Sequence, residues 1–228
     1  MDVIQYIMQK DFVSAAIVFL SSMFVLLVTL PIHEFAHAFT AYKLGDPTAK
    51  YSGRLTINPF KHLDFIGSML LLFFGFGWAK PVPVNQRNFK NPKTDMAITA
   101  LAGPISNLIL AFIILLITHI ISIFYFNYYI YFFLTSAAMI NIYLAVFNLV
   151  PVPPLDGSRL LFAILPDRYY YKMQQYEQIL SIVILVLIIT GVLSRPLSFV
   201  SNYIFTGFNS LLSLIFSPFT GGTLLLNI

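Results

Sequence analysis

Long apolar stretches, broken by short polar clusters, organise this chain. Phe12 to His33 carries no charge and runs on into a stretch marked by polar residues, His33–Lys43. Met96 to Leu155 contains no charged residue at all. A membrane span needs about 20 mostly apolar residues, so this second stretch has room for two. Asn127, set among tyrosines, is the natural break, and spans are expected near 96–118 and 129–150. Ile179 to Ser194 is uncharged, a little short, and still able to cross. Pro196 to Ile228 is uncharged but interrupted by Pro196, Asn202, Gly207, Pro218 and Gly221–Gly222. It either crosses once near 203–217 or lies partly in the interface. The polar residues of functional interest follow the first apolar stretch directly, so that stretch reads as an uncleaved span and not a signal peptide. The pattern predicts a single polytopic membrane domain over 1–228, an all-α bundle of about 4–6 transmembrane helices. Its core covers about 12–165, and 178–228 supplies C-terminal membrane segments.

Phe65 to Ala79 behaves differently. It is uncharged, 15 residues long, and ends in the glycine-broken run Gly75-Phe76-Gly77. Such a segment fits a re-entrant element better than a span. Charge gives an independent reading. Of the 13 Lys and Arg, eight lie from Lys43 to Lys93, four on each side of this segment. A crossing here would put one basic group outside, against the positive-inside rule. A re-entrant turn keeps both groups cytoplasmic. The expected topology then has the N-terminus and 119–128 outside, and 156–177 inside.

Composition fits this picture and removes others. The chain of 228 residues is 58% hydrophobic and 10% charged, against about 45–50% and about 25% for a soluble domain. That excludes a soluble enzyme, a nucleic-acid-binding domain and a disordered chain. The net charge of +4 reports orientation. The 13 Tyr and 23 Phe read as lipid-facing and interfacial surface. With no cysteine, any metal is held by His, Asp, Glu or backbone oxygen.

The chemistry starts at the end of the first span, in His33-Glu34-Phe35-Ala36-His37. On a helix, residues i and i+4 share a face, so both imidazoles can reach one cation. Glu34 lies beside them, suited to take a proton from water rather than to ligate. Ionisable side chains in an apolar helix are costly and tend to be functional. A catalytic zinc site usually has three protein ligands. Candidates for the third are His62, Asp64, Asp95, His119, Asp156 and Asp167. Asp156 stands out, in Val150-Pro151-Val152-Pro153-Pro154-Leu155-Asp156-Gly157 after the long uncharged run. Prolines unwind the end of a span, and the adjacent glycine frees the backbone to aim the carboxylate. A surface turn with Asp156 capping the next helix explains the same residues equally well. Topology separates the two readings, because Asp156 returns to the side on which the His pair stands. His119 falls on the opposite side. His62 and Asp64 read as polar anchors, with a ligand role as the alternative.

At these residues the chain resembles the site-2 protease family of intramembrane zinc metalloproteases, peptidase M50, in its compact bacterial branch without a PDZ domain. The resemblance covers about 20–165. It rests on His33–His37, on Gly103-Pro104-Ile105-Ser106-Asn107 and on Asn148 through Gly157. Gly45–Ala49 and Gly77–Asn85 are also similar to that branch. It implies Zn²⁺ bound by His33, His37 and Asp156, with Glu34 as general base. It implies that Asn148 positions or polarises the substrate and that Asn107 shapes the same cavity. It further implies a membrane-embedded, β-like element over about 50–85. The expected activity is hydrolysis of a peptide bond within or near a transmembrane segment of a membrane-protein substrate, in a cell membrane that is bacterial. The expected partners are that substrate and the lipid bilayer, with no nucleic acid. An exposed edge in 50–57 or 80–85 could pair with the unwound substrate; Lys50 to Ile57 has some strand character, and an interfacial loop explains the same residues equally well. The rival readings are an ion or proton transporter or channel using the His/Glu/Asp cluster, and an inactive homologue. Nothing resembles an inverted repeat, and every residue of the hydrolytic set is present.

Overall fold

The computed structural model describes residues 3–74, 77–166 and 175–217, and every element seen in them is helical apart from one β-bridge. A short helix α1 (Val3–Met8) leads into α2 (Phe12–Phe24), which starts where the Asp11 carboxylate accepts the Ser14 N–H at 3.0 Å. Helix α2 continues without a break through a π-helical turn, Val25–Thr29, into α3 (Leu30–Lys43). The whole rod spans Phe12–Lys43. The π turn has a local cause. Pro31 has no N–H to offer the carbonyl four residues back, and its ring crowds that carbonyl. The helix widens just before it, and the Leu30 N–H reaches the Val25 carbonyl.

Helix α6 (Pro92–Phe124) and helix α7 (Tyr128–Asn148) form an antiparallel hairpin. Its turn is closed by Asn127, whose side chain accepts the Tyr129 and Ile130 N–H groups at 3.0 and 3.1 Å. The break predicted at Asn127 is therefore the N-cap of α7. Helix α6 is about 50 Å long at 1.5 Å per residue, more than the ~30 Å apolar core of a bilayer. Helix α3 packs against α6, and α2 against α7. The core joins Val25, Leu26 and Leu30 to Ala111, Ile114 and Leu115 of α6 and to Ala137, Ala138 and Ile142 of α7. Small residues at these contacts let the backbones approach, which is how helices associate where no hydrophobic force separates them from lipid. Ser21 Oγ adds a cross-helix bond to the Phe133 carbonyl at 3.0 Å.

The last two helices depart from the expected bounds. Glu177–Ile189, here α9, has 13 residues and is too short to cross alone. Helix α10 (Ser194–Phe216) begins nine residues before the expected 203 and, at 23 residues, is long enough to cross. Four helices in the described residues are long and apolar enough for a membrane: Phe12–Lys43, Pro92–Phe124, Tyr128–Asn148 and Ser194–Phe216. The chain is an all-α, multi-pass membrane protein.

The segment after α4 (Thr48–Tyr51) contains α5 (Phe65–Phe74), ten residues that start where Asp64 accepts the Gly67 N–H. Leu63 and Ala79 then meet in an antiparallel bridge, and the Lys80 N–H donates to the His62 carbonyl at 2.8 Å. The segment returns to its point of departure. Its two arms are tight. A Cβ on Gly67 would strike the Trp78 backbone, and one on Gly77 the Gly67 carbonyl. The buried Arg54 guanidinium seals the base by donating to the carbonyls of Lys61, Lys80 and Pro81. Of the two readings of 50–57, a strand-like edge and a loop, the strand does not form. Local bonds win there: Ser52 N–H and Oγ return to the Thr48 carbonyl, Arg54 N–H returns to Ala49, and Gly53 sits at φ +64°. The β-like element reduces to the single bridge among the described residues.

Candidate metal centre

Three side chains from two distant stretches converge on one point. His33 and His37 lie one turn apart on the buried face of α3, with their Nε2 atoms 3.1 Å apart. Asp156 Oδ2 stands 3.1 Å from His37 Nε2 and 3.4 Å from His33 Nε2. Zinc bonds of about 2.0–2.1 Å to tetrahedral corners place neighbouring ligand atoms about 3.3–3.4 Å apart. The triangle has that size. His33, His37 and Asp156 are the one group of three or more His, Asp or Glu side chains gathered this way among the described residues.

The donor chemistry agrees. His37 Nδ1 lies 2.8 Å from the Thr99 carbonyl, which can only accept. The proton is therefore on Nδ1, and Nε2 presents a lone pair. That lone pair points at a carboxylate oxygen and at a second imidazole nitrogen, an arrangement that repels itself unless a cation is shared among the three. The Thr99 carbonyl is the kind of outer partner that fixes the tautomer and orientation of a metal-ligating histidine. Glu34 is buried on the same helix, 7% exposed, between the two histidines in sequence.

Local structure explains how Asp156 arrives. Helix α7 stops at Asn148, and Pro151, Pro153 and Pro154 remove the N–H groups needed to continue it. The intervening residues close short turns, Val152 N–H to Val150 and Leu155 N–H to Val152. Asp156 then occupies the N-cap position of α8 (Gly157–Ile164), but its side chain makes no capping bond and turns to the histidines. The position is that of a cap, but the capping hydrogen bond is not made. Gly157 has a different role from the expected one. It carries no positive φ; instead a Cβ there would collide with the carbonyls of Leu149 and Val150. The glycine lets the turn fold back against the end of α7.

Gly103 is the residue whose role sequence reasoning missed. Both imidazole rings lie against it, and a Cβ would overlap His37 Nε2 and the His33 ring. A glycine followed by proline inside an apolar helix was the available signal. Thr99 was missed without any signal, since its part is played by a backbone carbonyl. Asn107 stands one turn beyond Gly103, 1% exposed, with its Oδ1 unpartnered. Gly103 precedes Phe124 by 21 residues and Asn148 follows Tyr128 by 20, so in the antiparallel hairpin Asn148 ends α7 at the level of Gly103.

The other candidate ligands lie outside the group. His62 is fully buried, and its Nε2–H donates to the Thr56 carbonyl at 2.8 Å. Asp64 caps α5, and Asp95 accepts the Asn91 N–H at the start of α6. His119 bonds the Leu115 carbonyl and stacks on Phe216. Asp167 falls outside the described residues.

A bundle of apolar helices that closes two histidines and an aspartate into a triangle of zinc-ligand dimensions defines a membrane-embedded zinc metalloenzyme. Known sequences say which one. The pattern of peptidase family M50 matches residues 117–191, which include Asp156. The chain is 44% identical over 199 residues to YwhC of Bacillus subtilis, covering 85% of this chain and 91% of that one. It is 30% identical over 179 residues to Rip2 of Mycolicibacterium smegmatis, with 74% and 66% covered. It is 28% identical over 155 residues to MJ0392 of Methanocaldococcus jannaschii, with 68% and 37% covered. All three carry names of zinc metalloproteases. No solved structure matches the chain. The chain belongs to peptidase family M50; it is a zinc metalloprotease, and its cofactor is Zn²⁺.

Proposed function

We propose that this metalloprotease hydrolyses a peptide bond within or near a transmembrane segment of another membrane protein, from the cytoplasmic side of a bacterial cell membrane. The observation that carries this reading is the position of the His33–Glu34–His37 set, buried on the rod Phe12–Lys43 that is long enough to span. A site at that place meets substrates that are themselves in the membrane. The concentration of Lys and Arg between Lys43 and Lys93 supports the cytoplasmic orientation.

His33, His37 and Asp156 are the residues that would hold the zinc. When bound, zinc polarises a carbonyl and makes water acidic near neutral pH. Glu34 takes the proton from the attacking water and returns it to the leaving amine. Asn148 ends α7 at the level of the metal group, where its amide can donate to the carbonyl oxygen as negative charge develops on it. Asn107, buried one turn from Gly103 with an unpartnered oxygen, holds the wall of the same cavity. A helical substrate keeps its carbonyls in internal hydrogen bonds, so it unwinds before attack. The stretch 80–85, which follows the Leu63–Ala79 bridge, is the edge against which the unwound segment lies.

The test compares wild type and Glu34→Gln, purified and reconstituted, on a transmembrane test substrate, with bound zinc measured in both. Cleavage by wild type alone, with zinc retained in both, is the expected result. Equal cleavage would remove Glu34 from its role, and zinc retained by Asp156→Ala would remove Asp156 from the ligand set.

A further inference from the structure

We infer that the open end of this site selects membrane segments whose juxtamembrane flank is acidic, an inference that rests on the proteolytic reading above. The stretch from Lys43 to Asp95 presents Lys43, Lys50, Lys61, Lys80, Arg87 and Lys90 as exposed side chains. Its three acids are all engaged in hydrogen bonds, Asp46 and Asp95 buried and Asp64 partly so. Asp46 is wholly buried and accepts bonds from Thr48 N–H, Thr48 Oγ1, Asn85 N–H and Asn88 Nδ2. Asp64 caps α5, and Asp95 closes the first turn of α6. Among the described residues of this stretch, the surface therefore shows cations and no exposed carboxylate.

Membrane orientation does not require this. Topology is set by Lys and Arg, and Asp and Glu contribute little to it, so exposed acids would cost nothing in orientation. Their withdrawal leaves a field of one sign, which acts on a charged partner.

Two parts of the band differ in their surroundings. Lys50 and Lys61 stand among Tyr51, Ile57, Phe60 and Phe65, each more than half exposed. That mixture suits the headgroup region of a bilayer. From Asn85 to Asp95 there is no exposed large apolar side chain, and Phe89 is buried. Arg87 and Lys90 therefore face water. The bonds from Asn85 and Asn88 to Asp46 anchor this stretch three residues past Lys43, over the end of α3. Lys43 is six residues from His37, about 9 Å along a helix axis. An extended chain covers about 3.3 Å per residue. A substrate flank leaving the metal group thus reaches the cations about three to five residues from the scissile bond.

The chemistry is discriminating. Membrane segments of ordinary topology carry Lys and Arg on the side where this band stands, and like charge repels them. A flank with Asp or Glu is attracted, and the effect is on recognition rather than on the hydrolytic step.

The experiment uses the full chain in zwitterionic phosphatidylcholine nanodiscs, which removes anionic lipid as a competitor. Three test substrates differ only in a flank of three Asp, three Ser or three Lys, four residues from the cut. Binding is measured to Glu34→Gln and cleavage with wild type. The expected order is Asp over Ser over Lys, with about a tenfold span in binding and in KM at low salt, little change in kcat, and loss of the preference at high salt. The double variant R87E/K90E is expected to reverse the order while cleaving the Ser substrate as wild type does. Equal binding of the three flanks overturns the inference. So does a preference that survives R87E/K90E, or a cationic band that responds only when anionic lipid is added. Ordered binding without cleavage by wild type would instead overturn the proteolytic reading and leave the flank recognition standing.

Discussion

At the scale of single residues, the metal group depends on a hydrogen atom. Gly103 presents Hα to the His33 and His37 rings where any other residue presents a carbon. Gly103→Ala is expected to weaken zinc binding by about 10- to 100-fold, as losses of ligand-orienting contacts do, with the helix content unchanged. Zinc stoichiometry by elemental analysis and circular dichroism on the same sample check this; full zinc occupancy would show that α6 moves aside. A second residue-scale prediction concerns Asp46. Burial pushes its carboxyl up, but the bonds from Thr48, Asn88 and Asn85 outweigh burial and hold it below its ordinary value. A group depressed in the fold contributes stability that is fully present above the ordinary carboxylate range and is lost as pH falls through the folded value. Asp46→Asn is expected to lower stability at neutral pH by about 1–3 kcal/mol and to flatten the acid limb of a melting-temperature profile. His33, Glu34, His37 and Asp156 were all legible as residues. Gly103 was legible as part of a motif, but its steric reason exists only once two helices touch.

At the scale of elements, the re-entrant segment offers the sharpest test, because the chain has no cysteine of its own. Residues facing each other in an antiparallel bridge have Cα atoms about 4.5–5.5 Å apart, within disulfide range. Leu63→Cys combined with Ala79→Cys is expected to crosslink on mild oxidation, seen as a mobility shift in a non-reducing gel. Failure to crosslink, with both thiols reactive toward a small maleimide, would mean that the arms do not meet. Arg54→Ala is expected to loosen the same base by about 2–4 kcal/mol, since three carbonyls lose a charged donor. The apolar pattern located the helices well, because length and hydrophobicity dictate a span. It missed the end of α7 by two residues and placed the start of α10 nine residues late. It also left 50–57 open between strand and loop, since residue preference carries no information about the i−4 and i−5 bonds that the Thr48 and Ala49 carbonyls accept there.

At the scale of the molecule, the His33, His37 and Asp156 group joins α3 to the turn before α8, His37 and Asp156 being 119 positions apart in the chain. A cation bound only by the folded chain stabilises it by about 2.7 kcal/mol at a hundredfold excess over Kd. Chelation is expected to lower the melting temperature of the reconstituted protein by several degrees, and added Zn²⁺ to restore it. Magnesium without effect would complete the result. The bundle also predicts sidedness. Single cysteines at Gly53 and Arg87 are expected to label from one face of the membrane and a cysteine at Phe126 from the other, because one full span separates them. Labelling of Gly53 and Arg87 from opposite faces would reverse the re-entrant assignment.

The sequence alone determined that the chain lives in a membrane, that the first span ends in two histidines able to share one cation, and that Asp156 is a fitting third partner. Those conclusions follow from local quantities: hydrophobicity over a window, the i and i+4 geometry of a helix, and the sign of nearby charge. The tertiary structure decided what depends on two segments meeting. It turned the Asp156 side chain away from the α8 cap and toward His33 and His37, set the His37 tautomer through a carbonyl on α6, and required glycine at 103. It also closed Leu63 on Ala79. Distances of about 3 Å between residues far apart in the chain arise only from packing, and no window along the sequence contains them.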